Sequence, residues 1–181
     1  MVAHPDMVDP VQSSKIPLEV LGAGSLMLVI ITLIHGAGLD WIVGRFNRRS
    51  EKLRERRRSP HLASLIFSYA ILLMLFLHIS ELVIWGVVLN VSGLVPNLRD
   101  SVYFSANTYT TIGYGKMILP ESWRELSPIM AISGLFTFAW TTGQMFELVG
   151  SRRALTKDLA ALREKSKAPQ IASRDPGAGD L

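Results

Sequence analysis

The sequence predicts an all-α membrane protein with three transmembrane helices and a short re-entrant helix and loop between the second and third. Three observations carry that prediction. The 181 residues are 49% hydrophobic and only 19% charged, with a mean hydropathy of +0.28, too apolar for an ordinary soluble domain. Three runs, Leu18–Val43, Leu62–Leu89 and Leu126–Gly150, meet the requirement of about 20 mostly apolar residues for a hydrocarbon core of about 30 Å. Between the second and third lies "SANTYTTIGYGKMILP", residues 105–120, polar and punctuated by glycine.

Residues 1–17 read as an extracytoplasmic segment. They carry acidic residues, a single Lys and no small-residue cleavage site, so the first run is expected to persist as a helix over 18–43 and not to be removed as a signal peptide. The block "RFNRRSEKLRERRR", Arg45–Arg58, falls in an expected basic loop, 44–61. By the positive-inside rule that loop stays cytoplasmic, which puts the N-terminus outside and the C-terminus in the cytoplasm of a multi-pass protein of the cell (inner) membrane. The block is polar throughout, unlike a voltage sensor, which spaces Arg through an apolar helix. It suits anionic lipid head groups instead. Most of the net charge of +4 sits beside apolar runs, so it points to the bilayer and not to nucleic acid. With no Cys, disulfides, thiolate zinc sites and thiol redox chemistry are excluded.

The stretch 62–150 forms the next unit. An outer helix, 62–90, precedes "PNLRDSVYFSANTY", where Asn97 or Asp100 offers an N-cap and Val102, Tyr103 and Ala106 supply apolar positions; a short helix over 98–109 follows. An irregular loop comes next. At membrane depth free N–H and C=O groups are tolerated only when buried in protein or lining a water-filled path, so this loop implies a pore.

The order Thr110, Thr111, Ile112, Gly113, Tyr114, Gly115 closely resembles the selectivity signature of the potassium channel pore family. The resemblance covers outer helix, pore helix, filter (111–115) and inner helix (124–150). It suggests a small bacterial-type channel with one extra N-terminal helix. It implies a homotetramer conducting K+ passively, with K+ as transported ion, no cofactor and no enzymatic role. The alternatives are a weakly selective cation channel, and a non-conducting membrane scaffold or regulatory subunit.

The chemistry follows from the residues. A cation sheds water into a narrow tube only if successive oxygen rings replace its hydration shell. An ordinary strand alternates its carbonyls, so unusual dihedrals are needed at regular intervals, and Gly113 and Gly115 adopt them at little steric cost. Thr111, Ile112, Gly113 and Tyr114 would hold K+ through their carbonyls, with the Thr111 hydroxyl innermost, while the Ile112 and Tyr114 side chains point away and brace the tube. Thr108 and Thr110 would tie the pore helix to the filter, and its negative C-terminal end would aim at the cavity. Lys116 stands at the outer mouth, where the resemblance implies Asp. Its ammonium would turn toward Glu121, Asp100 or Tyr103, or into water.

On the inner helix, Gly134 is either a hinge or a tight contact. Phe138 and Thr142 are expected toward the aqueous cavity, Phe146 toward the cytoplasmic constriction and Trp140 against the second helix. Ionisable residues inside spans are functional suspects. With midpoints near Ile30, Phe76 and Thr137, His35 falls about 8 Å below the midplane and Glu81 about 8 Å above it, with Glu147 about 15 Å below. These depths predict no metal or catalytic cluster. His78 and Glu81, three residues apart, are expected to brace the pore helix through Asn107, Thr108 or Tyr109. In the tail, 151–181, the spacing of Leu148, Leu155, Leu159 and Leu162 suggests a short bundle beneath the pore, and disorder is expected after Ala168.

Overall fold

The computed structural model describes residues 18–56 and 60–172. The N-terminal segment, Arg57 and Arg58, and the end of the tail lie outside them. Four α-helices and one 3-10 turn follow in order: α1 (Leu18–Glu55), α2 (Pro60–Val91), α3 (Leu98–Tyr109), the turn Glu121–Trp123, and α4 (Leu126–Ala172). Among the described residues there is no strand. α1 and α2 each hold a stretch long and apolar enough to cross a membrane. α4 falls short of that standard because Ser127, Ser133, Thr137, Thr141 and Thr142 dilute its apolar half.

α1 corrects the reading of 44–61 as a basic loop, since the helix continues to Glu55. Arg, Lys and Glu are good helix formers, and two apolar residues in the block still find a core. Phe46 is buried with Leu39, Phe67, Met74 and Leu148; Leu53 is buried with Ala63, Leu155 and Leu159. The arginines lay their guanidinium planes on rings, Arg45 over Trp41 at 5.2 Å and Arg49 over Tyr69 at 5.1 Å, so their charge is held against aromatic faces.

These contacts set helix direction. α1 and α4 run parallel in near-constant register: Gly24 meets Ile129, Gly36 meets Trp140, and Leu53 meets Leu155. α2 runs antiparallel to both, with Leu77 on Gly38 and Phe67 beside Phe46. The leucines of the tail are thus used within one chain. Leu155 and Leu159 are 4% and 3% exposed against α1 and α2, which leaves only Leu162 half-buried. α4 also continues past Ala168 to Ala172, where disorder was expected. A proline removes one helical donor, and the Lys- and Ala-rich stretch before it favours continuation.

α3 is placed by caps and by close packing. α2 ends with Gly93 at φ +73°, and the Leu94 and Val95 amides donate to the Leu89 carbonyl at 3.1 and 3.2 Å, a left-handed helix stop. Asn90 then holds the turn by donating from Nδ2 to the Val95 and Pro96 carbonyls. Asn97 caps α3, its Oδ1 accepting from the Arg99 amide at 3.0 Å. Gly86 lets the Val102 backbone approach α2, since a Cβ there would stand 2.8 Å from Val102 Cα. Trp85, Leu89, Phe104, Tyr109 and Met130 close the core around α3.

Candidate functional site

The loop after α3 is built from the helix's own unsatisfied carbonyls. The Thr111 amide donates to the Thr108 carbonyl at 3.0 Å, and the Ile112 and Gly113 amides both donate to the Asn107 carbonyl at 2.9 and 3.1 Å. A helix end leaves such carbonyls free, so the chain turns onto α3 instead of continuing. Positive φ then recurs at every second residue: Thr111 at 60°, Gly113 at 63° and Gly115 at 139°. Two of these are glycines, which carry no penalty there. Thr111 is β-branched, and its left-handed backbone is a strained position of the kind that collects at functional sites.

Several side chains read from the sequence as supports act locally. The Thr110 hydroxyl donates to the Ala106 carbonyl at 2.6 Å, and Asn107 Nδ2 donates to the Tyr103 carbonyl at 2.8 Å; the ties to the loop are therefore made by backbone. Tyr103 stands at the far end of the loop, with its hydroxyl 3.5 Å from the Tyr114 carbonyl. Residues 111–118 are all exposed on this chain, including Ile112 at 69% and Tyr114 at 75%. Lys116 is exposed. Among the described residues it pairs with neither Glu121 nor Asp100 and keeps its ammonium in solvent.

Behind α3 lies a buried polar cluster that corrects the depth argument. His35 Nδ1 is 2.8 Å from Glu81 Oε1, with both side chains fully buried. The midpoint taken for the first helix was wrong, because α1 extends into the basic block and His35 sits near its true centre. Glu81 Oε2 accepts from the Tyr109 hydroxyl at 2.5 Å. His78 Nδ1 is 3.3 Å from that hydroxyl. His78 Nε2 and His35 Nε2 each lie 3.0 Å from the Thr141 hydroxyl. Thr137 Oγ1 stands 2.6 Å from Tyr109 Oη. Thus His78 and Glu81 meet α3 at Tyr109, one of the three residues named for that role, while Asn107 and Thr108 do not take part.

Sequence reasoning missed Thr137, Thr141 and the inclusion of His35. The missed signal was available in Ser133, Thr137 and Thr141, three hydroxyls at intervals of four that form one polar line on an apolar helix. Each serves a buried partner, with Ser133 accepting from Trp85 Nε1 at 3.1 Å.

α4 settles other positions. A Cβ on Gly134 would overlap the Tyr109 carbonyl oxygen, and α4 runs unbroken through this point, so this glycine is a contact. Trp140 packs on α1 and not on the second helix, because Gly36 leaves it room and its ring lies 5.7 Å from His35. The Phe138 ring stacks on His78 at 4.3 Å and 21° and stays 39% exposed on this chain. Thr142 is exposed, its hydroxyl donating to the Phe138 carbonyl at 2.8 Å, and Phe146 is 76% exposed.

Residues 64–151 match a family model described as "Ion channel". The matched segment starts inside α2, spans α3 and its loop, and ends inside α4; α1 lies outside it. No curated protein and no solved structure matches the chain.

Proposed function

We propose that this chain, whose residues 64–151 match the ion-channel family model, is one subunit of a homotetrameric potassium-selective channel. The observation that supports this reading is the period-two recurrence of positive φ at Thr111, Gly113 and Gly115. That rhythm is what turns successive carbonyls to one side of a chain, as an ion filter requires. Thr111, Ile112, Gly113 and Tyr114 supply the oxygens. Gly115 closes the turn, and Lys116 rims the mouth.

Solvent physics requires a closed ring of copies, and the resemblance to potassium channels implies that the ring has four. A polar loop cannot face lipid, and one chain supplies only one wall of a conduit, so a closed ring must form around it. Exposed Ile112, Tyr114 and Phe146 then meet neighbouring subunits. α4 serves as the third crossing, its hydroxyl line turned to buried partners within the subunit. Arg45–Arg54 lies at the cytoplasmic face of the cell membrane, beside anionic lipid.

Purified protein in liposomes tests this. Potassium-driven flux that sodium does not support is the expected result. Equal flux of both ions would replace it with a weakly selective cation channel, and no flux of either would leave a scaffold.

A further inference from the structure

The cluster behind α3 is complete in protons and also arranged for something else. Its five contacts form a ring: Glu81 to His35, His35 to Thr141, Thr141 to His78, His78 to Tyr109, and Tyr109 to Glu81. At zero net charge a carboxyl, two imidazoles and two hydroxyls carry one proton each, so every contact has one hydrogen. Thr141 admits a second arrangement. Its oxygen has two lone pairs and can accept from both Nε2–H groups at once. In that tautomer both Nδ1 lone pairs face the side occupied by Glu81 and Tyr109, and four donor atoms converge there.

We propose that this pocket binds a divalent transition metal ion of the zinc type. Nδ1 of His35, Nδ1 of His78 and the Glu81 carboxylate are the protein ligands, with the Tyr109 oxygen as fourth and Thr141 as the outer partner of both imidazoles. The three histidine and glutamate donor atoms lie within 4.8 Å of one another and all three residues are buried. The neighbouring separations are 2.8 Å for His35 Nδ1 to Glu81 Oε1, 3.8 Å for His78 Nδ1 to Glu81 Oε2, 3.3 Å for His78 Nδ1 to Tyr109 Oη and 2.5 Å for Tyr109 Oη to Glu81 Oε2. The first three straddle the roughly 3.3 Å between adjacent ligands of a tetrahedral ion with bonds of about 2.0 Å, and the Tyr109–Glu81 pair must open by about 0.8 Å to admit it. Imidazole donors favour such an ion over Mg2+ or Ca2+, which prefer all-oxygen cages.

Bound there, the ion clamps α1 and α2 to Tyr109, the last residue of α3 and two before the strained Thr111. The site does not depend on potassium selectivity, and binding is read without any current.

The test uses the full chain in detergent, stripped with a chelator and then titrated with Co2+ alone. The expected result is the intense visible absorption of four-coordinate Co2+, saturating at one ion per chain and discharged by Zn2+. His35→Gln and His78→Gln each abolish it, while His61→Asn, outside the cluster, keeps it. Thr141→Val retains all four donors, so the same band forms with affinity reduced by about 10- to 100-fold. Should the histidine variants fail to fold by size and helicity, the wild-type spectrum and the Thr141→Val shift still decide. Only the weak spectrum of six-coordinate Co2+ in the wild-type chain, a band surviving in folded His35→Gln, or unchanged affinity in Thr141→Val would overturn the proposal.

Discussion

Gly134→Ala is the sharpest probe of how the loop is held. The added Cβ would overlap the Tyr109 carbonyl oxygen and stand 2.9 Å from the Tyr109 carbonyl carbon and 3.1 Å from its Cγ. The obstacle is backbone at the end of α3, not a flexible side-chain tip. Restoring ordinary van der Waals separation requires α3 and α4 to part by roughly 1 Å. Overpacking of this severity costs about 3 kcal/mol, and the better helix propensity of Ala returns about 1 kcal/mol, leaving a net loss of about 2 kcal/mol. For a chain of this length that corresponds to a fall of roughly 4–8 °C in Tm. Gly150→Ala is the control, since nothing lies within 4 Å of its added Cβ on the same helix; it should be neutral or slightly stabilising. Thermal unfolding in detergent gives the stability, and liposome flux gives the consequence for the loop. A Gly134→Ala protein with wild-type Tm and flux would refute the argument that Tyr109 is fixed by this contact.

Gly113→Ala meets no atom within 4 Å but sits at φ +63°, so it adds backbone strain of about 1–2 kcal/mol per subunit; assembly by size should persist while discrimination between potassium and sodium flux is lost. Lys116→Asp should raise inward single-channel current, with a gain that shrinks as salt rises because an exposed charge is screened over about 8 Å at physiological ionic strength; equal currents at low salt would exclude a mouth-charge effect, and a salt-independent rise in open probability would point to a filter anchor instead. Leu155→Ala empties a site 4% exposed and should lower unfolding stability by about 2–4 kcal/mol, whereas Arg54→Ala removes only a surface pair with Asp158, whose side chains are 55% and 48% exposed, and should change stability by less than about 1 kcal/mol.

What the sequence discloses is what local chemistry writes into it. The start of α3 is visible because Asn97 has a side chain suited to its cap, and the loop is visible because only glycine carries positive φ without cost at positions 113 and 115. The extent of α1 was hidden because the block from Arg45 reads as polar; its two apolar residues, Phe46 and Leu53, make sense only once their partners on α2 and α4 are in place. The meeting of His35 with Glu81 was hidden for a related reason. Depth along a helix can be counted from sequence, but the offset between two helices is set by packing, here by Gly36 and Gly38 admitting Trp140 and Leu77. Thr111 shows the opposite limit, since no propensity would assign a β-branched residue to φ +60°.

The parallel register of α1 and α4 has a mechanical meaning. α1 is a rod of 38 residues, about 57 Å at 1.5 Å per residue, and it is pinned to its neighbours at three heights. Gly24 meets Ile129 near the top, His35 and Gly36 meet Glu81 and Trp140 midway, and Leu53 meets Leu155 and Leu159 below. A stiff beam fastened at three points cannot follow a bend in α4 at one end alone. Any swing of the lower part of α4 must either shear the Leu53 pin loose or carry α1 with it, levering the upper pins in turn. α1 therefore works as a tie bar, and a load applied at the Leu53 end is felt at Tyr109.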